Sequence, residues 1–145
     1  MTNGHLDIVV RANDMFSGLH VAIVREPPKI ALFSAAERES LVREAVSGIN
    51  GNIVVESFDG LLVDYVRRVG ARIIIRGLRA VSDYEYEAQM AMINRQLADD
   101  IETIFLMTSD YCSFISSSVV REIARYKGDV SSLVPANIAR RMQSL

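Results

Sequence analysis

With 145 residues, half of them hydrophobic and 23% charged, the chain suffices for one domain with a real core and has an ordinary globular composition. A net charge of −2 argues against a large basic surface for nucleic acid, and a single cysteine, Cys112, excludes an intramolecular disulfide or an all-cysteine metal site. No apolar run is long enough to span a bilayer and no signal peptide stands at the start, so a cytoplasmic protein with no membrane partner is expected.

In chain order, Thr2 or Asn3 can cap a helix, and Leu6, Val9, Val10 and Phe16 recur at helical spacing, which predicts a helix over residues 4–17. His5 falls in its first turn, where free N–H groups and the helix dipole welcome an anion. Val21 to Val24 reads as a strand, followed by the Arg25-Glu26-Pro27-Pro28-Lys29 loop. Ser34-Ala35-Ala36-Glu37 is a capping box opening a helix to about Val46. After the Asn50-Gly51-Asn52 turn, Ile53 to Val55 is a strand and Phe58-Asp59-Gly60 a loop. A short helix over 61–69 is closed by Gly70. Ile73-Ile74-Ile75, β-branched and without alternation, predicts a strand covered on both faces. It runs into Arg76-Gly77-Leu78-Arg79, where Gly77 permits a sharp turn and close approach of a ligand. Ser82-Asp83-Tyr84-Glu85 is a second capping box, opening a helix over about 83–98 with Met90, Ile93 and Leu97 on one stripe and Glu87 near its start. Residues 103–107 form the last strand. Ser113 to Ser118 then leads into a helix through Tyr126, stopped by Gly128, and a final helix follows Pro135.

Strands alternating with helices predict an α/β fold, a doubly wound, Rossmann-like parallel sheet with right-handed crossovers, as one domain over 1–145. Ligands bind such sheets at the carboxyl ends of the strands. His5, Lys29, Arg76, Arg79 and the run Ser116-Ser117-Ser118 all fall at strand ends or helix starts, on one side of such a sheet. Cations, a helix-end histidine and a serine-rich helix start describe a phosphate-rich ligand, a nucleotide. Each also has a plainer reading. The arginines can pair with Asp83 or Glu85, the serines can cap a helix, Lys29 can be a solvated loop lysine and His5 a surface residue. His20 and Cys112 keep the plain reading, and Met90 and Met92 read as packing. No Gly-x-Gly-x-x-Gly, no phosphate-binding Gly-x-x-x-x-Gly-Lys-Ser/Thr loop, no His-Glu-x-x-His and no Gly-x-Ser-x-Gly occurs in the chain.

Thr2-x-Gly4-His5, paired with Ile115-Ser116-Ser117-Ser118-x-x-Arg121, looks like the two signatures of the nucleotidyltransferase superfamily. The run from Ile75 through Arg76-Gly77-Leu78-Arg79 to Glu87, with Met92-x-Asn94-Arg95, closely resembles the bacterial phosphopantetheine adenylyltransferases over essentially the whole chain. The resemblance implies transfer of the adenylyl group of ATP to 4′-phosphopantetheine, giving 3′-dephospho-coenzyme A and pyrophosphate, with magnesium accompanying the ATP. It implies that His5 contacts the ATP phosphates and stabilises the transition state, and that Lys29 and Arg76 bind the acceptor phosphate, with Leu62 lining the pantetheine site. It places Gly77, Leu78, Arg79, Glu87, Cys112, Ser113, Phe114, Ile115, Ser116, Ser117, Ser118 and Arg121 at ATP. It implies a homohexamer inhibited by coenzyme A.

The sequence departs from the family in three places. Relatives begin with a strand and a Thr-Phe loop that would lie upstream of Met1. Without that strand, the strands at 21–24 and 73–75 are expected to lose a shared neighbour. Ile30 stands where a second phosphate-pocket lysine is usual, and Cys112 where an aromatic residue is common. The alternatives are a nucleotidyltransferase with another acceptor, or a non-catalytic chain that oligomerises or binds nucleotide or coenzyme A.

Overall fold

The computed structural model describes residues 1–27 and 31–145. Its elements run α1 (Asn3–Met15), β1 (Leu19–Val24), α2 (Ala35–Val46), β2 (Ile53–Phe58), α3 (Leu62–Arg68), β3 (Ile73–Leu78), α4 (Val81–Leu97), β4 (Glu102–Met107), a 3-10 turn at Asp110–Cys112, α5 (Ser117–Arg125) and α6 (Ala136–Gln143). The alternation expected from the sequence is present. The helix starts follow local chemistry: Ser34 Oγ accepts from the Glu37 N–H at 3.2 Å and Ser116 Oγ from the Val119 N–H at 3.1 Å. Gly70, at φ +72°, closes α3 in the left-handed conformation that a side chain resists.

The sheet is in two halves. β1 pairs in parallel with β2, Leu19 opposite Ile53 through Val24 opposite Phe58. β3 pairs in parallel with β4, Ile73 opposite Glu102 through Leu78 opposite Met107. Among the described residues, no strand joins β1 to β3, which is the lost shared neighbour that the sequence led us to expect. Helices hold the halves together instead. Val63, Tyr65 and Val66 of α3 share a core with Ile74 of β3 and Phe58 of β2, with Ala22 of β1 packed against it. On the side of α1, Val9 packs with Ile23 and Val55. Farther along, α1 lies so close to β3 that a Cβ on Gly77 would stand 3.0 Å from the Ile8 side chain. A third core joins Cys112, Ile115 and Val120 to Ile138 and Ala139 of α6.

Several expectations are corrected. β2 and β3 are longer than read, so Phe58, Arg76 and Gly77 are strand residues. Gly77 therefore makes no turn; its missing side chain admits Ile8. β3 is not covered on both faces: Ile74 is buried but Ile73 is 43% exposed. The second capping box does not form. α4 starts at Val81 behind Ala80, with no side-chain cap, and Asp83 turns back to Arg79. Met90 and Met92, read as packing, are not core: no residue of α4 is buried, Met90 is half-buried and Met92 exposed. The last turn of α5 is closed by Lys127 at φ 58°, with the Gly128 N–H bonded to the Ile123 carbonyl.

Candidate active site

A cavity of about 1140 Å³ lies between the two half-sheets. Its rim gathers His5 from α1, Arg76 and Gly77 from β3, Arg79 from the link to α4, Asp83 and Glu87 from the first turns of α4, and Ile115 to Ser118 with Arg121 from the entry and first turns of α5. Leu62 lines it from α3. Segments more than a hundred residues apart in sequence thus converge on one mouth, as doubly wound topology requires.

His5 is held from behind. The Thr2 backbone N–H donates to His5 Nδ1 at 3.0 Å, and Thr2 Oγ1 lies 2.8 Å from the same nitrogen. Because a backbone N–H can only donate, Nδ1 is the acceptor and the neutral ring carries its proton on Nε2. That leaves an Nε2–H donor for a ligand. Loss of hydration inside the cavity mouth first, then Arg79 and Arg76, pull the His5 pKa down from 6.5 to about 4, although part of the side chain stays open to solvent. The ring is therefore neutral at pH 7.

The two arginines are oriented by carboxylates, so the plainer reading of the sequence is also true of them. Arg76 Nε and Nη2 donate to both oxygens of Glu87 at 2.7 and 2.8 Å. This bidentate pairing raises the already high pKa of Arg76 against the pull of burial. Arg79 Nε and Nη2 donate to Asp83 at 3.0 and 2.9 Å, and its backbone N–H donates to the same carboxylate at 3.1 Å. Those bonds to Arg79 hold the Asp83 carboxyl below its usual range despite burial. Arg79 Nη1 also reaches the Ile115 carbonyl at 3.4 Å, tying β3's exit to the serine segment. Ser118 Oγ accepts from Arg121 at 3.3 Å.

The cavity does not reach Leu78, Cys112, Ser113 or Phe114. Leu78 is buried and the Cys112 side chain is fully enclosed in the α5–α6 core, where burial pushes its thiol pKa up. Ser113 Oγ donates back to the Asp110 carbonyl, and Phe114 faces outward. Lys29, with Ile30 beside it, lies outside the described residues. Among the described residues, no group of three or more His, Cys, Asp or Glu is placed to hold a metal ion.

Sequence reasoning missed Asp7. Its carboxylate accepts from the Ser109 N–H at 2.9 Å and the Ser109 hydroxyl at 2.7 Å, and also from Tyr111 and Arg11. Burial pushes its pKa up, but the Ser109 bonds and Arg11 outweigh that and lower it. Asp7 thereby fastens the helix carrying His5 to the segment that leads to the serines. Its spacing from Arg11 was the one local signal; Ser109 lies 102 residues away.

Comparison with known proteins agrees with this geometry. Residues 1–123 match the cytidylyltransferase-like family model. The phosphopantetheine adenylyltransferase of Alkaliphilus metalliredigens is 46% identical over 142 residues, 98% of this chain and 90% of the relative. That of Natranaerobius thermophilus is 50% identical over 137 residues, 94% of this chain and 84% of the relative. That of Staphylococcus saprophyticus is 46% identical over 140 residues, 97% of this chain and 86% of the relative. The chain belongs to the phosphopantetheine adenylyltransferase family. The split sheet is thus found in a chain whose rim keeps the family's Thr-x-Gly-His, Arg-Gly-Leu-Arg and serine motifs. Among the described residues, no helix is long and apolar enough to cross a membrane.

Proposed function

We propose that this chain transfers the adenylyl group of ATP to 4′-phosphopantetheine, giving 3′-dephospho-coenzyme A and pyrophosphate. The observation that carries the reading is the convergence of His5, Arg76, Arg79, Ser116 to Ser118 and Arg121 on one cavity mouth. The family name of the relatives supplies the acceptor.

The chemistry suits these groups. An oxygen of the acceptor phosphate forms a bond to the α-phosphorus of ATP. The bond from that phosphorus to the bridging oxygen breaks, and pyrophosphate leaves with the electron pair. The attacking oxygen is already anionic, so no general base is needed. Catalysis reduces to holding the reactants in line and stabilising charge on the equatorial and leaving oxygens. In this reading His5 Nε2–H donates to the ATP phosphates and strengthens that bond in the transition state. Arg79, Arg121 and the N–H groups at the start of α5 hold the triphosphate, with Gly77, Glu87 and Ile115 to Ser118 completing the ATP site. Arg76, with Lys29, takes the acceptor phosphate, in competition with Glu87, and Leu62 lies along the pantetheine arm. Magnesium enters with ATP, as part of the substrate, held by phosphate oxygens and water.

A homohexamer, a cytoplasmic location and inhibition by coenzyme A belong to the same reading. α4 supports self-association: it carries no buried residue, and Val81, Tyr84, Tyr86, Met92, Ile93 and Leu97 are exposed along it. A solution mass six times the 16.1 kDa chain is the expected result of light scattering.

The test is product analysis with magnesium-ATP and a panel of acceptors: 4′-phosphopantetheine, unphosphorylated pantetheine and nicotinamide mononucleotide. Dephospho-coenzyme A and pyrophosphate in equal amounts, from the first acceptor alone, are expected. Turnover of another acceptor in preference would assign the chain a different reaction.

A further inference from the structure

The path of the chain out of β1 is fixed from three sides. The Arg25 N–H donates to the Phe58 carbonyl at 2.9 Å, which carries the β1–β2 ladder one step past the strand. The Arg25 side chain donates to Asp59. From the first turns of α2, Arg38 Nη1 donates to the Val24 carbonyl at 2.9 Å and Nη2 to the Arg25 carbonyl at 2.8 Å. One guanidinium thus grips two successive carbonyls, a task for a planar fork rather than a point charge. Its Nε is buried and has no partner among the described residues, so the two carbonyls set the plane of the group.

The neighbouring residue on α2 acts at the far end of the same segment. Glu37 accepts from Arg141 Nε of α6 at 2.6 Å, and the Arg141 guanidinium lies 5.2 Å from the centre of the Phe33 ring. In the sequence, residues 26–32, Lys29 among them, run between these two anchorages. Val24, Pro27, Ala31, Leu32, Phe33 and Arg38 border the same cavity as His5 and Arg76.

We propose that Arg38 is a positioning residue for the acceptor: its grip on the Val24 and Arg25 carbonyls fixes where the 26–32 segment leaves the sheet, and so where Lys29 is presented to the acceptor phosphate. This rests on the adenylyl-transfer reading and adds to it a residue that touches no reactant. A segment anchored at its ends has fewer arrangements to lose, so less of the acceptor's binding free energy goes into ordering it. The ATP groups are placed by other bonds. Thr2 orients His5, Asp83 orients Arg79 and Ser118 meets Arg121, and none of these bonds involves α2. The effect therefore falls on one substrate. Arg43, farther along α2, is the internal comparison. Its Nη2 donates to the Val55 carbonyl of β2 at 3.1 Å, a tie of the same kind that does not border the cavity.

Arg38→Lys keeps the charge but loses the fork, and Arg38→Met keeps the apolar stem alone. Steady-state kinetics with magnesium-ATP and the acceptor panel are run on preparations whose circular dichroism matches the unsubstituted chain. Both variants are expected to raise KM for 4′-phosphopantetheine by about tenfold, with KM for ATP changed by no more than about twofold. Arg43→Lys should leave both constants in place. An unmoved acceptor KM in Arg38→Lys, an equal rise in both KM values, or the same acceptor effect from Arg43→Lys would overturn the proposal. So would failure of Arg38→Lys to fold, which would make the residue a structural tie only. If the unsubstituted chain uses a different acceptor, the acceptor assignment falls, and this inference is judged on the KM of that acceptor instead. A chain that turns over none of the panel removes both.

Discussion

The rim and the cavity below it are built on opposite principles. At the rim nearly every functional side chain is already held by the chain itself: His5 by Thr2, Arg76 by Glu87, Arg79 by Asp83, and the α1 and serine segments by Asp7 and Ser109. In the cavity below, among the described residues, no backbone bond joins β1 to β3, and the half-sheets are bridged through α1 and α3. The difference teaches that a site's preorganisation can be local while the sheet beneath it is incomplete. Most of the rim's bonds join residues three to eleven apart, so they form wherever the local segment folds; joining β1 to β3 takes a strand between them, and none stands there among the described residues.

The largest effect that sharpens this contrast is on stability. Ile74 sits in the α3 core, so Ile74→Ala is expected to cost about 2–5 kcal/mol, read from the urea midpoint. Its neighbour Ile73 is largely open, and Ile73→Ala is expected to cost under about 1 kcal/mol. Equal costs would mean that the cavity side is packed as tightly as the helix side. Next comes the tie across the rim. Asp7→Ala removes the acceptor of the Ser109 N–H and hydroxyl, and is expected to lower kcat/KM by roughly tenfold, mostly through KM for ATP, with the circular dichroism spectrum retained. An unchanged KM would cut Asp7 out of the positioning scheme.

A smaller effect is in pH. The folded chain lowers the His5 pKa from its ordinary 6.5 to about 4. As pH falls from 6.5 to 4 the unfolded chain takes up a proton that the folded chain refuses, so stability drops through that window and levels off below it. Asp7 and Asp83, lowered from 3.8, lose their contribution only at lower pH, so the windows separate. Urea midpoints at pH 7, 5.5 and 4.5 check this: His5→Gln should flatten the slope, and a slope that survives would assign it elsewhere. The smallest effect lies far from both regions. Arg67 and Asp100 make three hydrogen bonds at the surface, yet replacing both with alanine is expected to leave the urea midpoint unmoved, because water competes for exposed ion pairs.

The same contrast explains what was legible in the sequence. Ser34, Ser116 and Gly70 act through groups within four residues, and their roles read directly from spacing. Arg76, Arg79 and the serine run were legible because strand ends and helix starts in this topology share a side. The partner of Arg79 could not be chosen from sequence, since Asp83 and Glu85 both lie within reach; the structure takes Asp83. Cys112 looked like part of the nucleotide loop by alignment with the serine motif, but packing against α6 turns its thiol inward, a long-range outcome. On the α4 stripe Ile93 and Leu97 are exposed and Met90 is half-buried, because helical spacing says that a face wants cover without saying what covers it.

The central claim is that His5 acts chiefly on the transition state, as a donor on a rim that needs neither nucleophile nor base. The direct measurement is His5→Ala, with turnover followed by pyrophosphate release and ATP affinity by calorimetry on the same preparation. The expected result is a fall in kcat of about 10²–10³ with the ATP dissociation constant changed by no more than about threefold. Parallel loss of affinity and turnover, or turnover left intact, would contradict it.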